Sequence, residues 1–197
     1  MKDPIDAQTG RARVLAEAAE LFVAQGYAGT TLRQIASAAG IKAGSVYHHF
    51  DSKEDLFAAV LEEGIVVMVD AFEKTSASFD GSETVGDRLT AHVRAHLSAV
   101  FENGPFTTAH VTAFSSAPED LRERLVSRRN DYEAHWKALT TELLPHLRPK
   151  ERRLHQLLLF GAMNNTIEWF DPQGSVSLTN LSTLLANQFL DGVGAAA

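Results

Sequence analysis

Two groups of residues in this chain have the types and spacing for chemistry. The first lies between Leu21 and Phe50, where no Asp or Glu occurs although the chain carries a net charge of −7. Thr31, Arg33, Lys42, Ser45, Tyr47, His48 and, just beyond, Lys53 supply hydroxyl, imidazole, guanidinium and ammonium donors there. Donors of this kind, kept clear of carboxylates, suit phosphate oxygens and base edges, whereas a carboxylate would be repelled by the charge of a duplex. Residues 1–50 carry a net +1 and the remainder a net −8, so charge is polarised along the chain. The second group lies on later apolar stripes. His92 and His96 stand one helical turn apart among Val85, Leu89, Val93, Val100 and Phe101. His110, Tyr132, Trp136, Asn165, Glu168 and Trp169 are further polar groups on otherwise apolar faces. An apolar cavity with a few polar anchors is the usual form of a small-molecule site. Two histidines at i, i+4, with His110 as a third ligand, could also hold a metal. That spacing arises often by chance in helices, so no metal and no cofactor are expected. Pocket hydrogen bonding and plain packing both stay open for the two histidines.

Catalytic patterns are missing. There is no G-x-S-x-G elbow, no H-E-x-x-H, no phosphate-binding glycine loop and no cysteine. The expectation is that the protein is not an enzyme. A cysteine-free composition fits a reducing compartment. The stretch MKDPIDAQTGRARV lacks the long apolar run of a signal peptide, and GIVVMV and LLLFGAM are too short to span a bilayer. A cytoplasmic protein with no membrane partner is therefore expected.

The elements that must position these residues read as all-α, about nine helices, because apolar residues recur at helical spacing nearly throughout. A first helix is predicted over 11–25 with Val14, Leu15, Ala18, Leu21 and Phe22 inward, stopped by Gly26. A second spans 31–39, capped by Thr30 or Thr31 and ended by Gly40. A third follows after a tight turn, over 43–49, and the pair forms a helix-turn-helix pattern. Its small residues Ala43 and Gly44 would let a backbone approach base edges. Ser52 starts a fourth helix. Phe57, Val60, Leu61, Gly64 and Met68 lie on one side of it and Leu56, Ile65, Val66, Val67 and Val69 on the others, so it should be covered nearly all round. Five more helices are predicted over 83–102, 106–114, 119–144, 150–170 and 178–191. The eighth is apolar on two faces, Leu154, Leu157, Leu158 and Gly161 on one and Leu159, Met163, Ile167 and Phe170 on the other. The ninth carries Leu178, Leu181, Leu184, Leu185 and Phe189. Two helices this apolar predict a surface covered by a second subunit, a homodimer through about 150–170 and 178–191. The Gly/Ala tail after Asp191 is expected to fray.

The stretch TTLRQIASAAGIKAGSVYHHFDSKEDLF, residues 30–57, resembles the N-terminal signature of TetR-family transcription regulators. The match rests on Thr31, Ile35, Ala36, Ala39, Gly40, Gly44, Tyr47, Phe50, Lys53, Leu56 and Phe57. The resemblance implies a three-helix DNA-binding domain over 1–52 and an effector-binding and dimerisation domain over 53–197. It also implies that helices five to seven, with parts of four and eight, enclose the effector. The implied function is a homodimeric repressor that binds a palindromic double-stranded DNA operator and is released by a small hydrophobic molecule. The same fold acting as an activator, or responding to a metal or another small molecule, is the alternative. A shorter stretch, TIEWFDPQG followed by SVSLTNLSTLLANQFLDGV, resembles the C-terminal pattern of TetR-type regulators of fatty-acid and steroid breakdown. That resemblance implies an acyl-CoA or other lipid-derived thioester as effector. A CoA diphosphate would want cations, and Arg122, Arg124, Arg128 and Arg129 lie on helix seven, where a solvated face is the other reading of the cluster.

Overall fold

Helix ends in this chain fall where a side chain or a glycine can satisfy the backbone groups that a helix leaves free. The computed structural model describes residues 4–102, 104–114 and 117–194. Among these there are nine α-helices and no strand. They are α1 (Pro4–Gly29), α2 (Leu32–Ala38), α3 (Ala43–Val46), α4 (Lys53–Ala77), α5 (Val85–Phe101), α6 (Pro105–Ala113), α7 (Glu119–Leu143), α8 (Pro149–Asn165) and α9 (Leu178–Gly194). One 3-10 turn, Thr166–Glu168, follows α8. The tail expected to fray after Asp191 instead continues as helix to Gly194, and its last residues, 195–197, lie outside the described residues.

Thr31 rather than Thr30 caps α2. Its hydroxyl accepts from the Gln34 N–H at 3.2 Å while Gln34 Oε1 accepts from the Thr31 N–H at 2.8 Å, a closed capping box. Thr30 is fully buried, and its hydroxyl donates to the carbonyls of Gly26 and Leu21. Ser52 caps α4 by accepting from the Asp55 N–H at 2.9 Å and donating to the Asp55 carboxylate at 2.8 Å. Gly26 sits at φ 71, which interrupts α1 where the sequence places its stop, and a last helical turn carries on to Gly29. The third helix is shorter than predicted. It ends at Val46 and continues to Phe50 as a hydrogen-bonded turn, with the His49 and Phe50 N–H groups both donating to the Val46 carbonyl.

The chain divides into two compact units. One holds residues up to Val66 together with Gly104–Arg128; the other runs from Val67 through α5 and resumes at Arg129. The core of the first is built by Val14, Ala18 and Phe22 of α1, Ile35 of α2, Val46 of α3, Leu56, Phe57 and Leu61 of α4, Ala109 of α6 and Leu121 of α7. Each such large apolar side chain contributes roughly 1.5–3 kcal/mol by leaving water. Phe57 meets Phe22 edge-on at 4.8 Å and Tyr27 at 4.7 Å. Gly64 marks a close helix contact within this unit. A Cβ there would stand 2.5 Å from the Phe106 carbonyl oxygen and 2.8 Å from His110 Cβ, so α4 and α6 meet backbone to backbone.

In the second unit α5 packs along α9, and Leu89, Val93, Leu97, Trp136, Leu159, Met163, Leu181 and Ala186 are buried. The two faces of α8 separate as the sequence predicts: Leu159 and Met163 are inside, whereas Leu154, Leu157 and Leu158 are 61%, 46% and 68% exposed. Leu184 of α9 is 62% exposed. The eighth helix is shorter than predicted, since Trp169 and Phe170 both donate their N–H to the Thr166 carbonyl and leave the helical path. Helix α4 is less covered than predicted. Val66 is exposed, and Val67 and Val69 are only half-buried. No helix among the described residues is long and apolar enough to cross a membrane.

Candidate nucleic-acid interface and ligand cavity

The candidate DNA-contacting residues belong to the first unit. Arg33 lies in α2 and Lys42 at the N-cap of α3; both are exposed and neither has an ion-pair partner among the described residues. Ala43 is exposed at the start of α3, and Ser45 within it is half-buried. Tyr47 is 58% exposed and His48 beside it is also open, whereas Val46 and Phe50, flanking them, are in the core. The alternation follows from the short helix and its turn: Val46 and Phe50 are one turn apart and anchor the segment, so Tyr47 and His48 are turned outward. Thr31 is exposed, although its hydroxyl is engaged with Gln34. Gly40, at φ 65, makes the turn between α2 and α3.

Lys53 has a position that the sequence reading does not foresee. Its ammonium donates to the Tyr27 carbonyl at 2.8 Å and the Thr30 carbonyl at 3.0 Å, and it sits over the Tyr27 ring at 4.1 Å. The carbonyls at the end of α1 form a negative pole that draws a cation inward. Arg11, by contrast, is exposed and lies over the Phe50 ring at 4.8 Å.

Of the eight candidate ligand residues, the second unit brings four together: His92, His96, Tyr132 and Trp136. His96 is almost wholly buried and bridges Tyr132 and Asn164. Its Nδ1 lies 2.8 Å from the Tyr132 hydroxyl and its Nε2 lies 3.0 Å from Asn164 Oδ1. With the amide oxygen accepting from Nε2–H, the hydroxyl donates to Nδ1, and the ring is neutral. Burial pushes the His96 pKa down to about 4, and burial raises that of Tyr132. Phe160 closes this cluster 5.5 Å from Trp136.

His92 is stacked on Phe72 at 3.7 Å with only 10° between the rings. Its Nε2 lies 3.4 Å from the Ser76 hydroxyl, and its Nδ1 is buried without a hydrogen-bond partner. Its pKa is also pulled down to about 4, first by burial and then by the nearby charges of Arg88 and His135. His92 edges a cavity of about 610 Å³ whose other walls include Phe72, Ser76 and Phe79, Glu83 and Arg88, and Leu139 and Glu142. Arg88 is ion-paired with Glu142, while its Nε is buried without a partner.

The remaining candidates are placed elsewhere. His110 belongs to the first unit, where its Nδ1–H donates to the Leu61 carbonyl at 3.1 Å across the α4–α6 contact. Asn165, Glu168 and Trp169 are exposed, and Trp169 is 58% open. The cluster takes Asn164 instead of Asn165, because one residue along a helix turns the side chain by about 100°. Phe72, Ser76 and Arg88, which line the cavity, are missed by the sequence reading; the i, i+4 spacing of Arg88 and His92 was the available signal. None of the four arginines of α7 lines this cavity, and Arg124, Arg128 and Arg129 face Asp55 at 3.6 Å, Glu62 at 2.6 Å and Glu133 at 3.5 Å. No group of three His, Asp or Glu that could hold a metal occurs among the described residues.

Comparison with known proteins agrees with this layout. Residues 14–60 match the family model of bacterial regulatory proteins of the tetR family, and residues 82–193 match the Tetracyclin repressor-like C-terminal domain. The second match alone covers more than half of the chain, and the chain belongs to the TetR family of bacterial regulatory proteins. The HTH-type transcriptional repressor KstR2 of Rhodococcus jostii is 48% identical over 60 residues, 30% of this chain and 29% of that protein. The HTH-type transcriptional activator FasR of Mycolicibacterium smegmatis is 30% identical over 139 residues, 64% of this chain and 62% of that protein. The chain thus matches less than two thirds of the length of either relative. Among solved structures, a TetR-family transcriptional regulator from Bordetella parapertussis superposes with a TM-score of 0.82 at 26% identity, over 92% of this chain and 94% of that one.

Proposed function

We propose that this protein is a homodimeric transcriptional repressor that holds a palindromic operator through α2 and α3 of each subunit and lets go when a small hydrophobic effector binds. The observation that carries this reading is the outward face of the helix-turn-helix. Arg33, Lys42, Ala43, Tyr47 and His48 are exposed on it, and the sequence from Leu21 to Phe50 holds no carboxylate. Ala43 and Gly44 let α3 approach base edges, while Tyr47, His48, Thr31 and the cations serve phosphates. The reading head, residues 1–52, is a functional rather than a packing unit, since residues 53–66 and 104–128 complete its core. The remaining part, 53–197, holds the effector and the second subunit. Leu154, Leu157 and Leu158 of α8 and Leu184 of α9 supply the dimer contact, because an apolar strip this exposed is otherwise costly in water.

The effector site is the cavity beside His92, and α4 is the connecting element. It carries Lys53 at its first residue and the cavity residues Phe72 and Ser76 near its end. A ligand acts here only by binding better to the form with the wrong spacing of the two heads. The acyl-CoA suggested by the C-terminal resemblance stays an arm of the ligand test. Among the described residues Arg88 is the single Lys or Arg on the cavity wall, and it is already paired with Glu142. The test is selection of genomic fragments by the purified protein. A palindrome with half-sites about one helical turn apart, or a multiple, is expected. Failure to enrich any palindrome refutes the reading. Placement of the selected site over or upstream of a promoter, with a reporter, separates repression from activation.

A further inference from the structure

The cavity beside His92 shows more than its size. This inference rests on the reading of that cavity as a ligand site. Two residues of its wall each hold a buried nitrogen atom without a hydrogen-bond partner, His92 Nδ1 and Arg88 Nε. The two residues are one turn apart on the same side of α5, and both line the cavity. His92 is only 3% exposed, and a buried polar atom left unpaired costs far more than a typical hydrogen bond returns. Arg88 Nε can only donate. A Ser76 hydroxyl that donates to His92 Nε2 leaves the ring proton on Nδ1, which then donates as well.

Charge decides what kind of acceptor fits. Glu83 and Glu142 face one guanidinium, that of Arg88, which Glu142 already neutralises. His135, also on the wall, is paired with Glu73 at 3.7 Å. The wall is therefore net negative at neutral pH, and a carboxylate or phosphate would enter against that field. A cationic ligand would meet the field but would bring donors to groups that need an acceptor. The apolar part of the wall is largely aromatic: Phe79 stands edge-on to His92 at 5.5 Å, and Phe72, Ala138 and Leu139 also line the cavity. We infer that this cavity selects an uncharged, ring-containing molecule whose carbonyl oxygen accepts from His92 Nδ1 and Arg88 Nε.

The test compares ligands of one size and shape by calorimetry on the full chain: 2-acetonaphthone, 2-ethylnaphthalene and 2-naphthoate, with octanoyl-CoA as a fourth probe. The ketone is expected to bind on the order of thirtyfold more tightly than the hydrocarbon, for two buried hydrogen bonds. The carboxylate and the thioester are expected to bind more weakly than the ketone. His92→Phe keeps a ring to stack on Phe72 and removes Nδ1, so the ketone's advantage over the hydrocarbon should fall by about fivefold while hydrocarbon binding persists. Arg88→Met should reduce the same ratio and serves where His92→Phe folds poorly. Tighter binding of 2-naphthoate or octanoyl-CoA, no binding of the ketone, or an unchanged ratio in both variants overturns the assignment. Operator release is measured separately. Ketone binding without release refutes the effector role of the cavity and leaves the ligand class standing.

Discussion

Acidification should destabilise this protein well before its carboxylates titrate, through the buried histidines of the second unit. His96 is held neutral between Tyr132 and Asn164, and its pKa is pulled down to about 4 from an ordinary 6.5. The unfolded chain takes up that proton as pH falls through 6.5, whereas the folded chain resists until about 4. Stability from this source is whole above pH 6.5, falls between 6.5 and 4, and is flat below. At pH 5 the linkage amounts to about 2 kcal/mol for one such histidine. His92, pulled down by the same amount, adds to this, though less than in full because its ring edges a cavity open to water. Unfolding by urea at pH 7.5 and pH 5, at one fixed protein concentration, measures the difference. The lowered carboxylates, Asp80, Asp87, Glu102 and Glu151, lose their contribution only as pH falls through the unfolded carboxylate range at about 4, whereas Glu54, raised by its neighbour Asp120, gains stability on acidification, so a variant that removes one histidine is needed to isolate its share. His96→Gln preserves a donor and an acceptor but does not titrate, and its pH dependence should be smaller by about 2 kcal/mol. Equal stability of the wild type at the two pH values would refute the reasoning, as would an unchanged pH dependence in His96→Gln.

Gly64→Ala should destabilise the protein by about 1–3 kcal/mol, because its Cβ would meet the Phe106 carbonyl and His110 Cβ with no flexible side chain to yield; thermal melting reads this, and a melting point within a degree of wild type contradicts it. Tyr47→Phe should weaken operator binding by roughly tenfold or less across all sequences and leave base preference intact, since it removes one hydroxyl from an exposed ring; titration against the selected site and scrambled duplexes tests it. Leu158→Glu should shift the chain toward monomer by placing a charge on the 68% exposed apolar strip of α8, as seen by light scattering at fixed concentration.

Much of the architecture was legible because helical periodicity speaks directly. The two faces of α8, and the inward run Phe57, Val60, Leu61, Gly64 and Met68 of α4, follow from spacing alone. What was not legible depends on partners distant in sequence. Nothing near Lys53 announces that its ammonium will close the end of α1, 23 to 26 residues earlier. Asn164 and Asn165 are chemically equivalent, and only the seating of α8 decides which one meets His96. His110 reads as a pocket group on an apolar face, yet its ring is occupied by the Leu61 carbonyl. Val66 reads as buried because it is apolar, but apolarity does not supply a neighbour.

The inward turn of Lys53 bears on how ionic strength should govern occupancy of an operator. An ammonium held by two neutral backbone carbonyls keeps its charge, but its place is fixed by the end of α1. Arg11, Arg13, Arg33 and Lys42 are the exposed cations of the head among the described residues. With one phosphate apiece, two heads would expel about eight monovalent ions, and the logarithm of the association constant would fall against the logarithm of salt with a slope of roughly −7. Doubling the potassium in a cell would then lower the affinity by about two powers of ten.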